Sequence, residues 1–165
     1  MAAAFSDSTT GMINITGTTV NEDPSYRYKM PRIQTKIEGR GNGIKTILVN
    51  INDISSALNR PINLIMKFFG MELGTQSNWD EEKATVNGAH TSADLQNLLN
   101  IFIDKFVLCP ICHLPETALC VKVKKELVYH RCAACGAKEN IDSSSRLHTL
   151  ILNQAANALA AAKRG

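Results

Sequence analysis

The sequence predicts an α+β chain: a small mixed α/β domain with hairpins and packed helices, followed by a ribbon built on cysteines. Three observations carry that prediction. Strand-like alternation surrounds a glycine-rich loop at 33–51, apolar residues recur at helical spacing at 62–73 and 95–106, and all five cysteines fall between positions 109 and 135. With 165 residues, 44% hydrophobic and 20% charged, most of the chain is expected to fold, as one domain or two small ones.

Residues 1–25 carry a net charge of −3 with no basic residue and are rich in Ser, Thr, Asn, Asp and Gly. They read as a flexible N-terminal arm, in which Gly17 and Pro24 disfavour a regular element. The start has neither a basic region nor an apolar run, so it is no signal peptide.

Residues 26–90 form the expected α/β domain. Ile33, Thr35 and Ile37 share one face of a strand, and Ile44–Ile51 supplies a second. Between them Gly39-Arg40-Gly41-Asn42-Gly43 makes an exposed basic hairpin loop, with Asn42-Gly43 expected at the turn. Asn52 or Asp53 caps a short helix, Ile54–Asn59; Pro61 then opens a second, Ile62–Leu73, which buries Ile62, Ile65, Met66 and Phe69. A second, acidic hairpin covers Thr75–Glu82 and Ala84–Asn87, closed by Asn87-Gly88. Asp80, Glu81 and Glu82 read as a solvated turn. Residues 91–108 make a connecting helix. Thr91 with Asp94 resembles a capping box, and Leu95, Leu98, Leu99, Phe102, Ile103 and Phe106 line one face.

Residues 109–142 hold the chemistry most legible in the chain. Cys109-Pro-Ile-Cys112 and Cys132-Ala-Ala-Cys135 are separated by 19 residues. Each C-x-x-C turns two thiolates toward one ion, and strand material between them, Val121, Val123, Leu127 and Val128, brings the turns together. Four soft ligands in a tetrahedron suit Zn²⁺, so this is a four-cysteine zinc ribbon with a closed, structural metal. Clustered rather than paired cysteines fit a reducing compartment, hence a cytoplasmic protein. Cys120 is the spare, read as a small buried hydrophobe; His113 and His130 flank the knuckles but are not needed as ligands. Residues 143–165 close the chain with a helix capped from Asp142 or Ser143–Ser145 and an alanine-rich tail. That stretch is too short and too polar to span a bilayer.

The net charge of +3 conceals segregation: +6 over 26–70, −5 over 71–104 and +5 over 105–165. Two basic faces are expected. The Gly39–Gly43 loop lacks the Walker spacing and precedes a strand, so it is no nucleotide site. No nucleophile elbow, HExxH or acid pair appears. The chain reads as a binder or regulator, not a self-contained enzyme.

A family resemblance sharpens this. Tyr26-Arg27-Tyr28-Lys29-Met30-Pro31-Arg32, Lys36-Ile-Glu-Gly-Arg-Gly-Asn-Gly-Ile-Lys-Thr46, Ala57-Leu-Asn-Arg-Pro61, Lys67-Phe-Phe-Gly-Met-Glu-Leu-Gly74, Val86-Asn-Gly-Ala-His90 and Phe102-Ile-Asp-Lys-Phe-Val-Leu-Cys-Pro110 occur in this order. Together with the ribbon they resemble the N-terminal domain of eukaryotic translation initiation factor five, over roughly Met12–Leu152. The beta subunit of initiation factor two shares the two-part architecture and is the alternative, as a non-activating zinc-ribbon RNA-binding scaffold. The resemblance implies a mixed sheet with packed helices joined to the ribbon. It also implies an activity: stimulating GTP hydrolysis by initiation factor two, in the complex carrying initiator methionyl-tRNA on the small ribosomal subunit. Arg27 then matches the arginine finger. Lys45 and Lys67 match residues of the same activity, or are ordinary surface lysines. Lys36, Gly39, Arg40, Gly41 and Asn42 fall where the family approaches the initiator tRNA and the mRNA start codon. The family's complete proteins continue into a C-terminal helical domain, so the chain is expected to be a fragment or a truncated form.

Overall fold

The structure, a computed structural model, describes residues 12–80, 83–141 and 145–164. The chain divides into two compact units, Met1–Asp104 and Lys105–Gly165. Three predicted features lie outside the described residues: the first eleven residues of the arm, Glu81 and Glu82, and a cap from Asp142 to Ser144.

The first unit begins with a departure from the predicted arm. Strand β1 (Met12–Asn14) pairs antiparallel with β2 (Lys29–Pro31), placing Ile13 opposite Met30. Met30 and Ile15 are buried, so apolar anchors at both ends tether residues 15–28 as a loop. The glycine and proline that argue against a regular element lie inside that loop, not in the strands.

Strands β3 (Thr35–Glu38), β4 (Lys45–Leu48), β5 (Ser77–Trp79) and β6 (Ala84–Asn87) form a sheet in the order β3-β4-β6-β5. Every pairing is antiparallel, where the resemblance implies a mixed sheet. Because β3 is an edge, burial fades along its predicted inner face: Ile33 is buried, Thr35 half-buried, and Ile37 is 52% exposed. On β4 and β6, Thr46, Leu48, Ala84 and Val86 face the core.

Helix α1 (Ile51–Leu58) starts a turn earlier than predicted. The Asn50 carbonyl accepts from the N–H groups of Asp53 and Ile54, and the buried face is Ile51, Ile54 and Leu58. The Asn50 side chain is used elsewhere: it accepts from the Gln34 N–H and donates to the Arg32 carbonyl, tying α1 to the approach to β3. Helix α2 (Ile62–Leu73) has the predicted bounds and buries Ile65, Met66 and Phe69 as expected, with Leu64 and Phe68 added, whereas Ile62, in its first turn, is only half-buried. Gly70 lets the chain fold back closely, since a Cβ there would sit 3.1 Å from both Ser77 Oγ and the Thr75 carbonyl. The β5–β6 turn is closed by Asp80 and Lys83, whose backbones and the Asp80 carboxylate exchange hydrogen bonds. Asn87-Gly88 lies at the opposite end, leading to α3 (Ser92–Phe106). Thr91 Oγ1 caps that helix by accepting from the Asp94 N–H at 3.1 Å, the first half of the predicted capping box. It buries Leu95, Leu99, Phe102 and Ile103, with Phe102 edge-on to Phe68 at 5.3 Å.

The second unit contains β7 (Thr117–Lys122), β8 (Leu127–Cys132) and β9 (Lys138–Asn140) in one antiparallel sheet, and α4 (Arg146–Arg164), which packs on β7 and β8. Ser145 Oγ accepts from the Leu147 N–H at the start of α4. Leu147, His148 and Ile151 are buried, while the alanine-rich turns from Asn157 to Ala162 are exposed.

Candidate functional site

The cysteine tetrad is built from two knuckles of the same design. In the first, the His113 N–H donates to the Cys109 carbonyl and the Cys109 N–H to the Leu114 carbonyl. In the second, Gly136 and Ala137 make the same bonds with Cys132. This turn needs a positive φ at the fifth residue, supplied by Gly136 at 78° and, unusually for a residue with a Cβ, by His113 at 61°. His113 is therefore a turn residue.

The turns bring all four Sγ atoms within 4.8 Å of one another, with Cys109–Cys135 at 3.7 Å and Cys112–Cys132 at 3.6 Å. An ion with metal–sulfur bonds of about 2.3 Å in a tetrahedron separates its sulfurs by about 3.8 Å, so the tetrad can hold a metal. Burial raises the Cys109 thiol, but the Cys112 and Ile111 N–H donors outweigh it and bring it to about 7, toward the thiolate a metal needs. Burial pushes Cys112 up to about 12 against the Leu114 N–H; coordination would deprotonate it outright. Cys120 is half-buried on β7 and takes no part in the tetrad.

In the first unit, Arg27 lies on the 15–28 loop. The Ile15 N–H donates to the Tyr28 carbonyl at 2.9 Å and closes the loop base. Inside it, Asn14 is a hub: its amide donates to the Asn21 and Asp23 carbonyls and its Oδ1 accepts from Lys29 Nζ at 2.6 Å. The Asp23 carboxylate accepts from the Ser25 N–H and hydroxyl, which hold it below the usual carboxylate range. Farther along, the Asp104 carboxylate on α3 accepts from the Thr18 N–H and hydroxyl. Gly17, at φ +66°, sits so close that a Cβ would meet Asp104 Oδ1 at 1.8 Å. Arg27 itself is exposed, its guanidinium 5.6 Å from the Tyr28 ring centre, with Tyr26 edge-on to Tyr28 at 5.7 Å. Among the described residues it has no ion pair. Sequence reasoning misses Asn14 and Asp104: both look like solvated polar residues, and the Thr18–Asp104 contact spans 86 positions.

The β3–β4 loop is exposed throughout Gly39–Gly43. Its positive φ angles fall at Gly39 (90°) and Gly41 (57°), not at Asn42, and residues Gly41–Gly43 form a 3-10 turn in place of the expected two-residue Asn-Gly turn. A Cβ at Gly39 would stand 2.2 Å from the Gly43 carbonyl oxygen, so the loop neck requires glycine. Register puts Lys36 and Lys45 on one face of the sheet, the face opposite Thr46 and Val86. Glu38 sits opposite Lys45 and is paired with Lys83 at 3.4 Å. Lys67 is elsewhere, half-buried on α2 with Nζ 5.4 Å from the Trp79 ring centre. A cleft of about 850 Å³ in this unit, lined by Thr18, Lys29, Arg32 and Asn100 among others, includes none of Arg27, Lys45, Lys67 or the loop residues.

Fold and tetrad together define a two-part chain, an antiparallel α+β unit and a ribbon whose four cysteines can hold a metal ion. A family model described as a domain found in initiation factors 2B and 5 matches residues 18–138, and the chain belongs to that family. It is similar to eukaryotic translation initiation factor 5 of Saccharomyces cerevisiae, 47% identical over 146 residues, 87% of this chain and 36% of that protein. It is likewise 49% identical to that of Mus musculus over 132 residues (79% and 31%) and 50% identical to that of Phaseolus vulgaris over 134 residues (80% and 30%). The chain spans about a third of the length of these curated relatives.

Proposed function

We propose that this chain works in translation initiation, in the cytoplasm, as a GTPase-activating module. Its partner is initiation factor 2 carrying GTP and initiator methionyl-tRNA on the small ribosomal subunit. The observation that carries this reading is the exposed guanidinium of Arg27, without an ion pair among the described residues, on a loop tethered at both ends. A finger has to leave its own protein's surface, and to arrive in a fixed geometry. Both needs are met by a side chain projecting from an anchored loop. The guanidinium neutralises charge that grows on the β- and γ-phosphates in the transition state, worth about 10³–10⁵ in rate for such fingers. Lysine lacks the forked donor set.

Lys45, on the exposed end of β4, is available to a phosphate or an acidic partner. Lys67 has less freedom, because its ammonium lies over Trp79. We assign the basic β3–β4 loop, with Lys36 and Gly39–Asn42, to the tRNA and the start-codon region. Its glycines let backbone approach phosphate and Arg40 adds charge. Zn²⁺ is the ion that best suits four thiolates, and when bound it locks the two knuckles together.

The test is stimulated GTP hydrolysis in reconstituted initiation complexes. Arg27→Ala is expected to lower the maximal rate at least about 10³-fold with binding retained, and Arg27→Lys to restore little. Unchanged hydrolysis in Arg27→Ala would sink the finger and leave the scaffold reading.

A further inference from the structure

The ribbon has two unlike faces, and register assigns every strand residue to one of them. Thr117, Val128, His130 and Cys132 are buried on one face, which also carries Leu119, Val121 and Glu139. The other face is the more open one: Ala118, Lys122, Arg131, Lys138 and Asn140 are exposed, and Cys120, Leu127 and Tyr129 half-buried. Across it Ala118 aligns with Arg131 and Lys138, Cys120 with Tyr129 and Asn140, and Lys122 with Leu127. Three cations therefore stand on this face with no carboxylate among its strand residues. The acidic residue nearest in sequence, Glu139, stands on the opposite face beside His130; Glu116 and Glu126 lie outside the strands, and Lys124 and Lys125 add positive charge in the β7–β8 turn. At the centre of the middle strand is a half-exposed aromatic ring, Tyr129. Arg131 is two residues along β8, about 6.7 Å away on the same face.

We propose that this open face binds single-stranded RNA, with a base stacked on Tyr129 and phosphates met by Lys122, Arg131 and Lys138. Cations alone would serve any polyanion. The ring among them selects a nucleic acid, since every base offers a π-face and an aromatic platform in a basic surface is the recurrent way to hold a single strand. Lys122 Nζ lies 5.5 Å from the Tyr129 ring centre. A cation over an exposed ring gains less than a stacked base does, so the base displaces the ammonium, which moves to a neighbouring phosphate. The site is separate from the β3–β4 loop and does not depend on the loop's proposed role.

The experiment uses the zinc-loaded chain in an Arg40→Ala background, which removes the loop's own cation, and each ribbon variant is compared with that background. Binding to a fluorescein-labelled uridine decamer is followed by anisotropy, and stacking by quenching of 2-aminopurine placed in the same decamer. Tyr129→Ala is expected to weaken binding about tenfold and abolish quenching, while Tyr129→Phe keeps both. Tyr129→Ile, which loses the ring but keeps strand propensity, should behave as Tyr129→Ala with metal content and melting temperature unchanged. Arg131→Gln and Lys138→Gln should each reduce the slope of log K against log salt by about 0.7. Undiminished binding and quenching in Tyr129→Ile overturns the proposal. So does competition by polyglutamate as effective as by polyuridine, which would mark a docking face for an acidic protein.

Discussion

The ribbon knuckles and the Arg27 loop solve the same problem, fixing a short irregular segment, by opposite means. Each knuckle closes within six residues and converges on a shared tetrad. The Arg27 loop closes over 14 residues, from Ile15 to Tyr28, and leans on scattered single hydrogen bonds to Asn14 and Asp104. A metal concentrates its contribution at one point, and hydrogen bonds spread a smaller one. The first suits a scaffold that must not move. The second suits the proposed role of Arg27, a side chain presented to a partner.

Metal removal breaks the comparison most severely. Structural zinc sites are worth about 10–16 kcal/mol apparent, so a chelator should unfold residues 105–165. The first unit has its own core and its own reporter, the half-buried Trp79. Its tryptophan emission should stay native while far-UV circular dichroism of the ribbon is lost. Retained ribbon structure after verified metal removal would refute a metal-dependent fold.

The Arg27 loop should respond by smaller amounts. Gly17→Ala places a Cβ into the Asp104 carboxylate and strains a left-handed residue, at about 1–3 kcal/mol. Asp104→Ala removes charge-assisted bonds to Thr18, worth about 1.5–3 kcal/mol where sheltered and less at this exposed site. Both act on one contact, so the double variant should cost less than the sum. Native-state hydrogen exchange of the Thr18 amide reads each effect. Strict additivity would mean that the two residues are not coupled.

These contacts also mark where the sequence is readable. The tetrad follows from spacing alone, because a C-x-x-C turn is a local object. Helices α2 and α3 follow from periodicity and, for α3, from the Thr91 cap. The start of α1 is obscured because Asn50 acts through its backbone while its side chain serves the chain before β3. Asn42-Gly43 and Asn87-Gly88 look alike as dipeptides. Yet the β3–β4 loop takes its positive φ angles at Gly39 and Gly41, and Asn87-Gly88 closes no hairpin. Asn14, Asp104 and the face shared by Tyr129, Arg131 and Lys138 depend on pairing between distant or adjacent strands, which composition does not encode.

The smallest effect lies within the ribbon, between its two knuckles. His113 and Gly136 occupy equivalent left-handed positions, so the first knuckle carries a strain that the second avoids. His113→Gly should relieve about 1 kcal/mol of that strain, partly offset by the greater freedom of glycine in the unfolded chain. Gly136→Ala should cost about 1 kcal/mol, because it introduces the same strain where a Cβ otherwise meets open space. The measurement is metal affinity by chelator competition at fixed pH. His113→Gly should bind as tightly as the parent or slightly more so, and Gly136→Ala several-fold more weakly. A large loss in His113→Gly would instead make the imidazole a participant in metal binding.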